Sequence, residues 1–287
     1  MKKKELLMKI FARGYIALLL LLMYLPILVL VVFSFTDTTN LFTWDVFTFD
    51  LYVRLFNNKE IMTAVGNTLL VALISSLVAS ALGTFAAIGV HELGKKGKRA
   101  YEFANNIPVV NPEIVISLSL IIMFVFLGNY VFNGFEKSFW TLLCGHLVLT
   151  TPFVYLSVKP KILQMDPALY EAALDLGCTP AQAMRKVTYP AILPGILSGF
   201  MLAFTLSLDD FIITAFLTGP GLLSGAESIQ TISTYVQSVI KKRPLPPEMR
   251  ALCTIILLVV VIVVFSIFFL SRKERVKKRK GRTYIHG

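Results

Sequence analysis

The chain predicts an all-α, polytopic membrane protein with six spans, on three observations. Of its 287 residues, 56% are hydrophobic and 16% charged, more apolar than an ordinary soluble domain. The apolar residues gather into six segments, each near the roughly 20 residues that a hydrocarbon core requires. The basic residues, 28 against 17 acidic, collect between alternate segments. No stretch between the segments is long enough for a soluble domain, so 1–287 reads as one transmembrane domain.

The segments run over 14–35, 66–90, 107–127, 139–158, 191–217 and 251–271. The first is longer than the apolar region of a signal peptide, and no small-x-small cleavage pattern follows it. It is expected to remain as a helix. Trp44, Phe47, Phe49, Tyr52 and Phe56 follow, a set that suits the headgroup level. The second segment carries Ala72, Ser76, Ser80 and Thr84, small residues at every fourth position. Gly94-Lys95-Lys96-Gly97-Lys98-Arg99 lacks the G-x-x-x-x-G-K-[ST] spacing of a phosphate loop and no strand precedes it, so it reads as a charged turn between helices. The third segment is the least regular. It opens with Pro108, Pro112 and Glu113, and its uninterrupted apolar run covers only 114–127. His146, in the fourth, suits a hydrogen bond to a neighbouring helix. The fifth repeats the small-residue spacing at Ala191, Gly195, Gly199, Ala203 and Ser207. Such a stripe lets helices approach closely, within the chain or against a second subunit.

Charge sets the orientation. Lys2, Lys3, Lys4, Lys9 and Arg13 precede the first segment, and Lys95, Lys96, Lys98 and Arg99 lie between the second and third. Lys159, Lys161, Arg185 and Lys186 lie between the fourth and fifth, and a basic run from Arg272 to Arg282 follows the sixth. By the positive-inside rule both termini and the loop 159–190 are expected in the cytoplasm, N-in and C-in. A net charge of +11 distributed this way points to a bilayer and not to nucleic acid. The terminal run suits anionic headgroups. Lys241, Lys242 and Arg243 form a basic cluster on the other side, and a solvated turn is one reading of it.

The loop 159–190 holds the most pronounced local pattern. Asp166 suits a helix cap and Pro167 its first turn, where a missing N–H is harmless. Leu169, Ala172, Ala173 and Leu176 then share one apolar face. Gly177 suits a left-handed stop. Thr179-Pro180-Ala181-Gln182 reads as a capping box that starts a second helix. Pro190 and Pro194 mark the beginning of the fifth segment. A helix–Gly–helix hairpin with a small apolar face suits docking into a groove of another protein.

Catalytic, metal and cofactor constellations are missing. His91, His146 and His286 are scattered, and no Cys or His pair has metal-ligand spacing. Cys144, Cys178 and Cys253 suggest no disulfide framework. Energy for uphill transport would therefore come from a partner. Glu171-Ala172-Ala173, then Gly177, then Val187-x-Tyr189-Pro190 matches the spacing EAA-x3-G-x9-I-x-LP, and here the chain resembles the ABC importer permeases. Val187 and Tyr189 depart from the usual Ile and Leu, both by apolar replacement. The resemblance implies a type I ABC importer permease fold in the bacterial cytoplasmic (inner) membrane. It also implies that Glu171, Ala172, Ala173, Gly177 and Pro190 belong to a loop seated in a cleft of an ATPase subunit. The implied partners are an ABC ATPase dimer, a second homologous permease and an extracytoplasmic substrate-binding protein, which Lys241, Lys242 and Arg243 could meet. The chain itself would be no enzyme and carry no cofactor.

Ser207-Leu208-Asp209-Asp210-Phe211 followed by Thr218-Gly219-Pro220 is similar to the fifth helix of the C-type permease in spermidine/putrescine importers. Asn67-Thr68, Pro112-Glu113 and Pro247-Glu248-x-x-Ala251-Leu252 resemble the same subfamily, so the likeness covers roughly 40–271. The physics of the acids is compatible. Asp209 lies about 21 Å along a helix that begins near Gly195, and a mid-membrane carboxylate costs about 2.5–3.5 kcal/mol on insertion scales. Adjacent acids on one helix point about 100° apart, so one of the pair Asp209 and Asp210 is expected on a polar pathway that a cationic polyamine would use. Capping or a salt bridge to a second permease is the other reading. Glu113, expected near the cytoplasmic end of the third segment, is either a pathway acid or an interfacial cap. A phosphonate, thiamine or iron importer is the rival within the class. An ion-coupled secondary transporter, or a membrane enzyme, is the rival outside it.

Overall fold

The computed structural model describes residues 2–38, 46–130, 137–218, 229–241 and 246–262. Trp44, Gly219, Pro220, Lys242, Arg243, the run 272–282, His286 and the far half of the sixth segment lie outside these. In chain order the helices are α1 (Lys2–Phe33), α2 (Asp50–Asn57), α3 (Lys59–Glu92), α4 (Lys95–Val110), α5 (Glu113–Tyr130) and α6 (Phe139–Gln164). There follow α7 (Pro167–Asp175), α8 (Pro180–Ala183), a π turn (Met184–Thr188), α9 (Tyr189–Asp209), α10 (Ile212–Leu217), α11 (Ile232–Ile240) and α12 (248–262). Among the described residues there is no strand, only an isolated antiparallel bridge between Thr36 and Phe47. Among the described residues five helices are long and apolar enough to cross a bilayer: Phe11–Phe33, Lys59–Glu92, Glu113–Tyr130, Phe139–Gln164 and Pro180–Asp209. The sixth expected span falls on α12, which reaches the last described residue.

Contacts divide the chain into two bodies, 1–62 with 243–287, and 63–242. In the first, residues 14–33 of α1 are apolar on every side and the membrane window of the helix buries nothing, so its natural surroundings are lipid or another protein. The segment after it is tightly organised. Phe35 stacks on Phe47 and meets Phe49 and Tyr52 edge-on or tilted. Ser34 and Tyr52 hydroxyls are 2.8 Å apart, and Arg54 donates to both oxygens of Asp37. Arg250 of α12 donates to the Thr38 carbonyl at 2.9 Å.

In the second body α6 is the central helix. Val154 is clamped between two glycines. A methyl group at Gly83 of α3 would approach its Cβ to 2.7 Å, and one at Gly199 of α9 would approach its Cα to 3.1 Å. Both small-residue stripes therefore serve packing within the chain: Ala72, Ser76, Ser80 and Thr84 are buried, as are Gly195, Gly199, Ala203 and Ser207. Ala191, the first of the fifth-segment set, is exposed. Ala79, Ala87, Val154, Val158, Ile192 and Ala203 form the core where these helices meet. A second cluster joins Ile116 and Leu120 of α5 to Leu149 of α6 and to Ile213 and Leu217 of α10.

Three sequence expectations change here. Residues 95–99 are the first turn of α4 and not an inter-helix turn; only Leu93 and Gly94 separate α3 from α4. The third segment is two helices, because Pro112 disfavours helical geometry at Asn111, which is extended (φ −76°, ψ 141°). The second hairpin helix runs on into the fifth segment through the π turn at Met184–Thr188, which absorbs Pro190, a residue with no N–H to give.

Candidate functional site

The loop between α6 and α9 is built by its caps. The Asp166 carboxylate accepts from the Ala168 N–H at 3.0 Å and Pro167 opens α7. Gly177 has φ +82°. Its N–H reaches the Leu174 carbonyl, and the Cys178 N–H reaches that of Ala173, the paired bonds of a Schellman stop. Thr179 and Gln182 exchange side-chain and backbone hydrogen bonds as a capping box. Of the predicted apolar face only Ala173 turns inward. Leu169, Ala172 and Leu176 are exposed, the last at 86%, and Glu171 stands beside them. Pro190 is also exposed, at the start of α9. A short helix and its cap thus present two leucines, an alanine and a carboxylate outward, with no covering element among the described residues.

The acids of the fifth segment lie at the far end of α9, about 30 Å from Tyr189. The helix breaks between them. Asp209 is the last residue of α9 and is exposed, whereas Asp210 is extended (φ −62°, ψ 130°) and 4% exposed. The expected single helix with both acids 100° apart is not formed. Asp210 instead caps α10: its oxygens accept from the N–H of Ile213 at 3.1 Å, the N–H of Thr214 at 2.9 Å and the hydroxyl of Thr214 at 2.8 Å.

From this cap a buried polar chain crosses the bundle. His146 Nε2 lies 3.2 Å from the Thr214 hydroxyl and 3.6 Å from Asp210 Oδ2. Its Nδ1 shares a hydrogen bond of 2.9 Å with Ser207, and Ser207 shares another of 2.9 Å with Ser75 of α3. His146 is thus an interhelical hydrogen-bonder, as its sequence context suggests. Thr214 and Ser75 were not singled out by sequence. Thr214 carried a usable signal, a hydroxyl four residues after an acid that ends a helix. Ser75 carried none, since it stands beside the small-residue stripe.

Glu113 opens α5 and is partly exposed. It lies within electrostatic range of Asp210 and Asp209. Ile116, three residues on, packs with Ile213 of α10, so Glu113 opens α5 on the side of the bundle that α10 occupies, while α4 supplies the path nearer the loop. No ion pair among the described residues engages Asp209 or Glu113. Beyond the cluster, Asn67 donates to the Gln230 carbonyl at 3.1 Å, and the Thr68 hydroxyl accepts from the Ile232 N–H at 2.8 Å. These two residues, noted in sequence only for resemblance, tie 230–232 to α3.

The family model described as "Binding-protein-dependent transport system inner membrane component" matches residues 79–278. The chain belongs to this family. It is 33% identical over 259 residues to the "Putrescine transport system permease protein PotI" of Escherichia coli (strain K12), covering 89% of each. It is 30% identical over 244 residues to the "Spermidine/putrescine transport system permease protein PotC" of the same strain, covering 85% of this chain and 87% of that one. Among solved structures it is similar in fold to a bacterial ABC transporter involved in the import of the acidic polysaccharide alginate. That likeness has a TM-score of 0.69 at 20% identity, covering 91% of this chain and 93% of that one. As a family member with five apolar helices long enough to cross, the chain is a multi-pass bacterial inner-membrane protein and a permease subunit of an importer.

Proposed function

We propose that this permease carries polyamines, forming half of a pathway with a second, homologous permease. An ATPase dimer on the cytoplasmic side powers it, and an extracytoplasmic binding protein delivers the cargo. One observation carries the cargo assignment: Glu113 lies within electrostatic range of Asp209 and Asp210, and no lysine or arginine among the described residues pairs with Asp209 or Glu113. A surplus of carboxylate charge in a low-dielectric setting attracts a polycation and repels an anion. The names of the two curated relatives support the same cargo.

In this reading Asp209 and Glu113 face the pathway and Asp210 holds the local fold that presents them. The loop 166–190 transmits ATPase closure to α9, since α8, the π turn and α9 form one continuous helix from the loop to Asp209. Glu171, Ala172, Gly177 and Pro190 lie on the coupling surface, with Ala173 seating α7 against the chain. Both termini and this loop are cytoplasmic, the side that the basic residues favour.

The test is ATPase stimulation and uptake by the reconstituted complex across putrescine, spermidine and anionic solutes. Polyamines should stimulate and anions should not. Asp209→Asn should raise the polyamine KM about tenfold, the loss of about one charged contact. Unchanged KM in Asp209→Asn and in Glu113→Gln would remove the acids from the pathway.

A further inference from the structure

A cavity of about 260 Å³ opens between α3, α4 and α6, at the end of the bundle that leads into the 165–189 loop. Neither the pathway acids nor the coupling loop uses it. Its wall is apolar where Val90 and Ile162 contribute, and Leu163, 63% exposed, stands at its edge. Set into that wall are Lys98, Lys159, Glu102 and His91. Lys159 gives one proton to Glu102 at 2.6 Å and has two more to give. Tyr155 is 1% exposed, and its hydroxyl is buried without a hydrogen-bond partner. That hydroxyl is closed off from the cavity, which the rest of Tyr155 borders.

We propose that this cavity holds the phosphodiester headgroup of an anionic membrane lipid, phosphatidylglycerol. Its occupant has to accept hydrogen bonds from ammonium groups. It has to carry negative charge, because two lysines face one glutamate. It also has to own an apolar part that lies along Val90, Ile162 and Leu163 as they run into the membrane. A water molecule meets only the first demand and an inorganic anion only the first two, while a cationic cargo is repelled. Basic clefts between membrane helices hold anionic headgroups by this combination. Ordered there, the lipid would brace α4 against α6 beside the Glu102–Lys159 pair and the Tyr101–Tyr155 ring contact, centroids 5.0 Å apart.

Native mass spectrometry of the full-length chain in detergent, titrated with phosphatidylglycerol or phosphatidylcholine, tests this. The chain should retain phosphatidylglycerol in preference to phosphatidylcholine. Lys98→Gln should weaken that retention about fivefold, the effect of one basic residue at an anionic surface. Tyr155→Phe, which removes an oxygen closed off from the cavity and keeps the ring, should bind like the parent. Lys98→Arg keeps the charge and should bind like the parent. Equal retention of the two lipids, or no change in Lys98→Gln, overturns the proposal. So does a Lys98→Arg chain as weak as Lys98→Gln. Displacement of the bound lipid by inorganic phosphate overturns the lipid as occupant and assigns the cavity to a free anion.

Discussion

The carboxylate of Asp210 accepts three hydrogen bonds inside the bundle, whereas that of Asp209, one residue earlier, is exposed at the end of α9. The two acids should therefore fail differently. Asp210→Ala removes this cap and strands the buried N–H groups of Ile213 and Thr214, a loss of about 1–3 kcal/mol. We expect a clear fall in the unfolding temperature of the purified chain, with Asp210→Asn intermediate because one amide oxygen still accepts. Asp209→Ala should stay within about 0.5 kcal/mol of the parent, as surface changes usually do. Equal thermal shifts for the two alanine variants would contradict this division. The adjacency of the acids was legible in sequence, but their separation was not. Nothing between Leu208 and Phe211 breaks a helix by propensity. The break is held by the cap that an extended Asp210 makes to Ile213 and Thr214, buried beside His146.

At the scale of elements, sequence read best where local chemistry decides the backbone. The caps at Asp166 and Thr179 and the positive φ of Gly177 all follow from residues within four positions of one another. It read less well where prolines met membrane surroundings. Pro190 looked like a helix boundary, yet the π turn carries the helix through, as neighbouring helices and local irregularity allow in such bundles. These elements give a contrast between two glycines. A Cβ at Gly177 would meet nothing within 4 Å, so Gly177→Leu is limited by φ alone, about 1–2 kcal/mol. We expect that variant, and Glu171→Lys, to reach the membrane in normal amount but to co-purify poorly with the ATPase and to lose uptake. Gly199→Leu drives into the backbone of Val154 and should lower the amount of folded chain itself. Full uptake and normal ATPase recovery in both loop variants would detach the hairpin from coupling.

For the whole molecule, the question is which side of the membrane each feature faces, and the chain's own thiols answer it. Composition and segment length were enough to read a membrane bundle, because a bilayer forces apolar runs of one length. Sidedness rests on charge alone, an average over many residues, so it asks for a direct measurement. Of the three cysteines, Cys144 and Cys253 lie on apolar helices and Cys178 lies in the hairpin loop, next to Gly177. A charged maleimide needs a thiolate in water, and thiols in apolar surroundings hold their proton. Cys178 should therefore be the one thiol labelled, and only when reagent is applied from the cytoplasmic side. Inside-out vesicles should label and intact spheroplasts should not, with Cys178→Ser abolishing the signal. Because Cys178 adjoins the exposed face of Leu169, Ala172 and Leu176, bound ATPase subunit should also slow the labelling. Labelling of Cys178 in intact spheroplasts would invert the topology and take the hairpin away from any cytoplasmic ATPase. Labelling that is cytoplasmic but indifferent to the ATPase would keep the topology and move the docking surface elsewhere on the chain.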